Sequence, residues 1–181
     1  MTTIFTHAVV AVAIGVPFRP TVLPRKVWIL GAICSMVPDA DVLGFAFGVQ
    51  YADFWGHRGF THSLLFAALL ALVATLRYLG RPCRAAVAVY LFLATASHGL
   101  LDALTDGGLG VAFFSPFDDT RYFLPAQPVH VAHIGLGFFS AGSIAVMVSE
   151  MLWIWIPSLA ILTGGLWFHR QRDDATIRSF D

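Results

Sequence analysis

Charged residues are scarce in this chain. Asp, Glu, Lys and Arg make up 12% of its 181 residues, whereas hydrophobic residues make up 57%. Because soluble domains carry about 25% charged residues, much of this protein's surface must face something other than water. Several apolar runs approach the roughly 20 residues that an α-helix needs to cross a bilayer. The composition therefore excludes an ordinary soluble domain and predicts a membrane protein.

The chain also has few cysteines and no net charge, and each of these features excludes a class of site or partner. The two cysteines, Cys34 and Cys83, lie in different apolar segments, so we expect neither a disulfide nor a cysteine-ligated metal. The formal net charge is zero, which argues against nucleic acid as a partner. The His-Glu-x-x-His run of zinc proteases is missing. Nothing in the sequence indicates an oligomeric state.

Apolar runs predict an all-α, polytopic membrane bundle of about five segments. They span about 5–16, 27–37, 63–79, 85–104 and 147–168. Pro17 and Pro20 stop the first segment and Pro38 interrupts the second, while Thr61 is a predicted N-cap of the third. We expect a single domain over 1–181, with a motif core at about 1–106 and a tail at 169–181.

The last apolar region, 131–168, is too long for one straight crossing. We predict that its first part is a surface or re-entrant piece and that 147–168 is the true span. The residues that could break it are Gly135, Gly137, Gly142 and Pro157.

Basic residues predict the orientation. With five crossings, nine of the 11 Lys and Arg residues fall on one side of the membrane: Arg19, Arg25, Lys26, Arg77, Arg81, Arg84, Arg170, Arg172 and Arg178. Such residues concentrate in cytoplasmic loops, so the basic loops and the C-terminus are predicted to be cytoplasmic. The N-terminus faces out, and Arg58 and Arg121 lie on the outer side of an inner (plasma) membrane.

Histidines and aspartates show the opposite asymmetry and converge on the predicted outer face. Ionisable groups near the bilayer are costly and are usually functional. The predicted metal ligands are His7, Asp39, Asp41, His57, His62, His98 and Asp102. His98 and Asp102 are four residues apart, which places both on one helix face. Imidazoles with carboxylates suit zinc, manganese or iron, and seven ligands suit two ions rather than one.

The segment HRGFTHS, residues 57–63, carries further chemistry. Arg58 beside a metal site suits bidentate binding of phosphate, and Asp41 is a candidate general base. Gly59 would let the backbone turn sharply between the two histidines. Thr61 and Ser63 would cap the next helix or hydrogen-bond to the ligands.

Other polar residues remain open at this point. His130 and His133 are either extra ligands or loop residues, and Glu150 has no assigned role in its apolar run. Asp106 could extend the His98–Asp102 face by one turn. It is otherwise a solvated loop acid like the other three, Asp53, Asp118 and Asp119.

The order of an N-terminal histidine, PDAD, HRGFTHS and HGLLD resembles the YdjM-like family of predicted inner-membrane, metal-dependent hydrolases, over about His7 to Asp106. That family in turn is similar to the all-helical, zinc-dependent phospholipase C and P1 nuclease group. The resemblance implies metal ligands at His7, Asp39, His62, His98 and Asp102, with Asp41 and His57 as additions. The later ligands of the soluble enzymes have no clear match here.

We therefore predict a membrane-bound hydrolase that uses metal-activated water to cleave a phosphate ester of a lipid or amphiphile. The cofactor would be a divalent metal, zinc or alternatively manganese, with two ions expected. A metal-stabilised structural or adaptor protein is the alternative. A phosphohistidine lipid phosphatase is excluded, because its motif needs an arginine where this chain has Phe92.

Overall fold

The computed structural model describes residues 1–18, 23–132 and 142–178, of which 173–178 by backbone alone. Within these ranges the protein has no β-strand, only two isolated bridges. Its α-helices are α1 (Ile4–Gly15), α2 (Arg25–Met36), α3 (Leu64–Thr75), α4 (Arg84–Ala103), α5 (Ser143–Glu150) and α6 (Ile156–Arg178). Helix α5 continues into α6 through a π-helical turn, Met151–Trp155. The five resulting helical segments confirm the predicted all-α architecture.

The second segment changes helix type at its proline. Pro38 has no backbone N–H and cannot extend the α-helical hydrogen-bond ladder. The α-helix accordingly ends at Met36, and the chain continues as a 3-10 helix over Val37–Phe47. The interruption at Pro38 is as predicted, whereas the further helix to Phe47 was not.

The third segment begins with a different cap from the one predicted. Ser63 is the N-cap of α3, and its side chain accepts a hydrogen bond of 3.0 Å from the backbone N–H of Phe66. The predicted cap, Thr61, instead donates its hydroxyl hydrogen to Asp41. Both residue types cap helices, but Thr61 lies in a separate 3-10 turn, Phe60–His62, two residues before the actual cap.

The last segment begins at Ser143, four residues before the predicted start at Met147. Pro157 does not break it, because the π-helical turn directly before this proline absorbs the mismatch in the hydrogen-bond ladder. The predicted surface or re-entrant piece falls mostly on 133–141, with Gly135 and Gly137, which lie outside the described residues.

Helices α1 to α4 pack together around Tyr90 of α4. Its buried hydroxyl donates to the backbone carbonyl of Ala11 in α1 at 3.0 Å. A Cβ at Gly31 of α2 would lie 2.3 Å from the same hydroxyl oxygen, so only glycine fits there. Burial of Val27, Leu91 and their apolar neighbours in this cluster supplies hydrophobic stabilisation.

Three helices are long and apolar enough to cross a membrane: Arg25–Phe47, Arg84–Ala103 and Ser143–Arg172. Ile4–Gly15 and Leu64–Tyr78 are shorter apolar helices. Helices α1, α3 and α5 start at the end of the bundle where α2 and α4 finish. That end carries the clustered histidines and aspartates. The basic residues at the start of α2 and in the α3–α4 connection lie at the opposite end: Arg25, Lys26, Arg77 and Arg81.

The connection between α4 and α5 folds back over the polar end of the bundle. Its Ala112 amide donates to the Arg58 carbonyl at 3.0 Å, and its Arg121 guanidinium donates to the His57 carbonyl at 2.9 Å. The HRGFTHS segment is thereby held between the helix ends and this connection. The sequence did not predict that contact.

Candidate metal centre

Four side chains from three parts of the chain meet at the polar end of the bundle. One donor atom of each lies within 4.8 Å of the others, and all four residues are buried: Asp39, His62, His98 and Asp102. Asp39 comes from the 3-10 helix after α2, His62 from the turn before α3, and the other two from the last turns of α4. We call this group the four-residue cluster.

His98 is fixed with one ring nitrogen facing the cluster. Its Nδ1 lies 2.7 Å from the Ser35 carbonyl oxygen. A carbonyl only accepts, so Nδ1 carries the hydrogen and Nε2 presents a lone pair when the ring is neutral. That Nε2 is 3.3 Å from Asp39 Oδ1 and 3.0 Å from His62 Nε2.

His62 faces a carboxylate with each of its ring nitrogens. Its Nδ1 lies 3.2 Å from Asp41 Oδ2, and its Nε2 lies 3.5 Å from Asp102 Oδ2. A metal-binding histidine commonly donates its second ring N–H to a carboxylate or a backbone carbonyl. His98 has this arrangement. His62 Nδ1 instead shares a hydrogen bond of 3.1 Å with the Thr61 hydroxyl, which itself donates to Asp41.

The two carboxylates of the cluster are short of donors. Neither oxygen of Asp39 accepts a hydrogen bond from a residue that the structure describes, and Oδ2 of Asp102 likewise accepts none. Burying a carboxylate without compensation is costly. The donor set of two imidazole nitrogens and two carboxylates, each with at least one oxygen that accepts no hydrogen bond, therefore fits a divalent cation.

The charges around His62 show how strongly this point attracts positive charge. Burial by itself would lower the pKa of His62, but the nearby carboxylates of Asp102, Asp39 and Asp41 outweigh it and raise the pKa to about 10. A proton on Nε2 would satisfy His62 but would leave Asp39 without a donor of its own. A divalent cation would serve both carboxylates and both imidazoles at once.

His7 borders the cluster rather than joining it. Its ring stacks on that of His98, with the centroids 3.6 Å apart. Its Nε2 lies 3.9 Å from Asp39 Oδ2 and 3.8 Å from Asp102 Oδ1, and it shares a hydrogen bond of 2.8 Å with the Thr2 hydroxyl. His7 is thus placed close enough to contribute, and its role as a ligand stays a prediction.

Asp41 and His57 lie on the other side of His62. A 3-10 helix has three residues per turn, so Asp39 and Asp41 point in different directions. Asp41 Oδ1 accepts from His57 Nδ1 at 2.8 Å, and Oδ2 accepts from the Thr61 hydroxyl at 2.7 Å. With His62 these residues form a second group of possible metal ligands. Burial lowers the pKa of His57 despite its hydrogen bond to Asp41, which favours a neutral imidazole.

Arg58 is buried and its guanidinium is engaged. Its Nε lies 3.3 Å from Asp102 Oδ2, while its terminal nitrogens donate to the Gly107 carbonyl at 2.8 Å and the Thr105 hydroxyl at 2.7 Å. In this arrangement Arg58 holds Asp102 and the start of the α4–α5 connection. The proposed contact with phosphate stays a prediction.

The tight turn in HRGFTHS also falls on Arg58. Its φ is 65°, whereas Gly59 has a φ of −82°. The prediction that Gly59 supplies the sharp turn is therefore wrong in its reason. Glycine is required at position 59 because a Cβ there would lie 2.3 Å from the Phe54 carbonyl oxygen.

Asp41→Asn is expected to weaken metal binding without abolishing it, because an amide has one accepting oxygen for Thr61 and His57 and no charge to attract His62. Loss of a group that orients a ligand costs about 10–100-fold in metal affinity. Competition with a chromogenic chelator measures the effect, and Asp53→Asn, in the loop between the 3-10 helix and HRGFTHS, is the matched control. Unchanged affinity in Asp41→Asn would show that Asp41 does not orient His62.

The remaining polar candidates lie away from the cluster. His130 is exposed, and its Nδ1 pairs with Asp106 Oδ2 at 2.7 Å. Asp106 therefore belongs to a surface pair and does not extend the His98–Asp102 face. Asp118 and Asp119 accept hydrogen bonds within their own loop. His133 lies outside the described residues.

Sequence reasoning missed the groups that hold the cluster in place. The Thr2 backbone N–H donates to Asp102 Oδ1 at 2.8 Å, and the Ser35 carbonyl and the Thr105 hydroxyl have the roles described above. A backbone amide or carbonyl has no signature in a sequence. Thr2 and Thr105 are ordinary residues for a helix start and a helix end.

Comparison with known proteins shows the family of the chain. The YdjM inner membrane protein family matches residues 1–172, a range that contains every residue of the cluster. The chain belongs to this family. Inner membrane protein YbcI of Escherichia coli (strain K12), a relative, is 41% identical over 176 residues, which cover 94% of this chain and 100% of YbcI. No solved structure matches. The predicted YdjM family resemblance and inner-membrane localisation are confirmed, whereas the orientation and the likeness to P1 nuclease stay predictions.

Proposed function

We propose that this YdjM family protein is a membrane-bound, metal-dependent hydrolase that cleaves a phosphate ester of a lipid or amphiphile. The observation that supports it most is the four-residue cluster, in which two imidazole nitrogens face two carboxylates with oxygens that accept no hydrogen bond. A divalent ion held there would lower the pKa of a bound water and polarise a phosphoryl oxygen.

The chemistry of the donors favours zinc, with manganese as the alternative, since nitrogen and oxygen ligands suit both ions. Asp39, His62, His98 and Asp102 would hold one ion. The second group around Asp41 and His57 would take part in holding a second one. We propose two ions, because phosphate-ester hydrolysis commonly uses a pair.

The substrate class is argued from the position of the cluster. The cluster lies where helices of membrane-spanning length end, in a chain whose remaining surface is largely apolar. An amphiphile whose phosphate lies at the head-group level would meet the site without leaving the bilayer. Asp41, which already accepts hydrogen bonds, would serve as the general base.

A metal-stabilised structural or adaptor protein is the second candidate. The observation that favours it is burial, because His98 and Asp102 are both 0% exposed and Asp39 is only 5% exposed. Four protein ligands around one ion would complete a tetrahedron, the arrangement of structural zinc sites.

Hydrolysis of a defined substrate by purified protein distinguishes the two functions. We expect the wild-type protein in detergent to release glycerol phosphate and diacylglycerol, or glycerol and phosphatidate, from phosphatidylglycerol micelles. From bis(p-nitrophenyl) phosphate we expect it to release p-nitrophenol. EDTA should stop the release, and zinc or manganese should restore it. Asp102→Asn should lower the rate by at least about 100-fold, because it removes a ligand of the ion that would stabilise charge in the transition state.

The opposite pattern would establish the structural role. In that case the metal-loaded protein would hydrolyse neither substrate, and metal removal would lower its melting temperature. His130→Ala, which alters only the surface pair with Asp106, is the control for both measurements.

A further inference from the structure

Glu150 is a completely buried carboxylate that the proposed chemistry does not use. It is the last residue of α5, in the long C-terminal helix, and is 0% exposed. Ionisable residues inside membrane helices are rare, because burying the charge is costly, and they usually have a functional role. Glu150 therefore needs partners that compensate its burial.

Those partners all come from the start of α1. The carboxylate accepts hydrogen bonds from the Thr3 backbone N–H and hydroxyl at 2.5 Å each and from the Thr6 hydroxyl at 2.6 Å. Thr6 in turn accepts from the Trp155 indole N–H at 2.6 Å. Thr3 is the N-cap of α1 and has no capping bond of its own. The carboxylate thus caps α1 from another helix, where the helix dipole favours negative charge.

The same short segment holds the metal cluster on its other side. The backbone N–H of Thr2 donates to Asp102 Oδ1 at 2.8 Å, which leaves Oδ2 directed toward His62. The Thr2 hydroxyl lies 2.8 Å from His7 Nε2. The consecutive amides of Thr2 and Thr3 are therefore divided between two buried carboxylates, Asp102 and Glu150.

We propose that Glu150 is a positioning residue of the metal centre. It fixes the segment from Thr2 to Thr6, and this segment fixes Asp102 and His7. Glu150 touches neither the four-residue cluster nor any substrate, so its effect is carried by the hydrogen bonds of Thr3 and Thr2. This inference rests on metal binding in the proposed function but not on hydrolysis.

Cobalt binding to the full-length protein in detergent tests the proposal. Glu150→Gln keeps the shape of the side chain but cannot accept all three hydrogen bonds. We expect it to weaken Co²⁺ binding by about 10-fold or more, as for other residues that orient ligands. The visible absorption of bound Co²⁺ should change as well, because the position of Asp102 changes. Thr3→Val, which removes one of the hydroxyl donors, should act in the same direction.

Ser149→Ala is the matched control. Ser149 is the buried neighbour of Glu150, but its hydroxyl accepts from the His130 amide, away from the cluster. The double variant Glu150→Gln/Thr3→Val should lose less affinity than the two single losses combined, since both remove the same contact. Equal losses in Ser149→Ala and Glu150→Gln, or unchanged affinity and absorption in Glu150→Gln, would overturn the proposal.

Hydrogen exchange separates this proposal from the proposed function. Amides of residues 2–8 should exchange faster in Glu150→Gln than in the wild-type protein, with or without metal. If the wild-type protein binds cobalt but hydrolyses nothing, the proposed hydrolase function is wrong. The Co²⁺ affinity of Glu150→Gln still tests the role of Glu150 in that case. Unchanged exchange in Glu150→Gln would contradict the role of Glu150 even in an active enzyme.

Discussion

Purified His62→Ala protein is expected to contain almost no divalent metal. His62 is the one residue common to both groups of candidate ligands, because its Nε2 faces Asp102 while its Nδ1 faces Asp41. The alanine variant removes a ligand from the four-residue cluster. It also removes the side chain that lies between this cluster and the second group, Asp41 and His57. Since loss of a residue that merely orients a ligand costs about 10–100-fold in affinity, loss of this ligand should cost at least about 100-fold.

Elemental analysis by mass spectrometry measures the effect directly. His130→Ala is the control, because it removes an imidazole of the same chemistry from the exposed pair with Asp106. We expect this control to retain the wild-type metal content. If His62→Ala retained it too, His62 would not be a ligand and the four-residue cluster would have another purpose.

Arg58→Met is expected to destabilise the fold strongly. Methionine keeps much of the side-chain volume, but the buried carboxylate of Asp102 loses its ion pair with the guanidinium. The Thr105 hydroxyl and the Gly107 carbonyl each lose the hydrogen bond that Arg58 donates to them. Removing one partner of a buried ion pair costs about 3–5 kcal/mol. The free energy of unfolding of the metal-free protein, measured in detergent with EDTA present, should fall by that amount.

Arg77→Met is the control, since Arg77 is exposed at the opposite end of the bundle and its loss should cost little. The double variant Arg58→Met/Asp102→Asn should be more stable than Arg58→Met, because it also removes the unpaired charge. A stable Arg58→Met protein that binds metal but fails to hydrolyse phosphate esters would contradict this account. It would instead support the phosphate contact predicted from the sequence.

Spacing and hydropathy were sufficient to predict the helices and the convergence of the site. The four-residue interval between His98 and Asp102 places both on one face of α4. The alternating direction of the helices brings the turn before α3, with His62, to the same end as the 3-10 helix after α2, with Asp39. These predictions depend on regular helical geometry and on the length of apolar runs, which a sequence records directly.

The details that the sequence could not supply depend on irregular segments. Arg58 contacts Thr105 and Gly107 because the α4–α5 connection folds back over the site, and no periodic pattern encodes that fold. The role of Glu150 depends on Thr3, 147 residues away along the chain. Similarly, Thr61 and Ser63 both suit an N-cap, and only the position of the 3-10 turn decides between them.

The metal content and ligand environment of the wild-type protein test the central claim most directly. Protein purified without chelator and then offered zinc, manganese or iron should hold at least about one ion per chain in a four-ligand site of this kind. X-ray absorption should show nitrogen and oxygen neighbours at roughly 2.0–2.2 Å and no sulfur. Protein that binds none of these ions, or that binds them through sulfur, would contradict a centre built from Asp39, His62, His98 and Asp102.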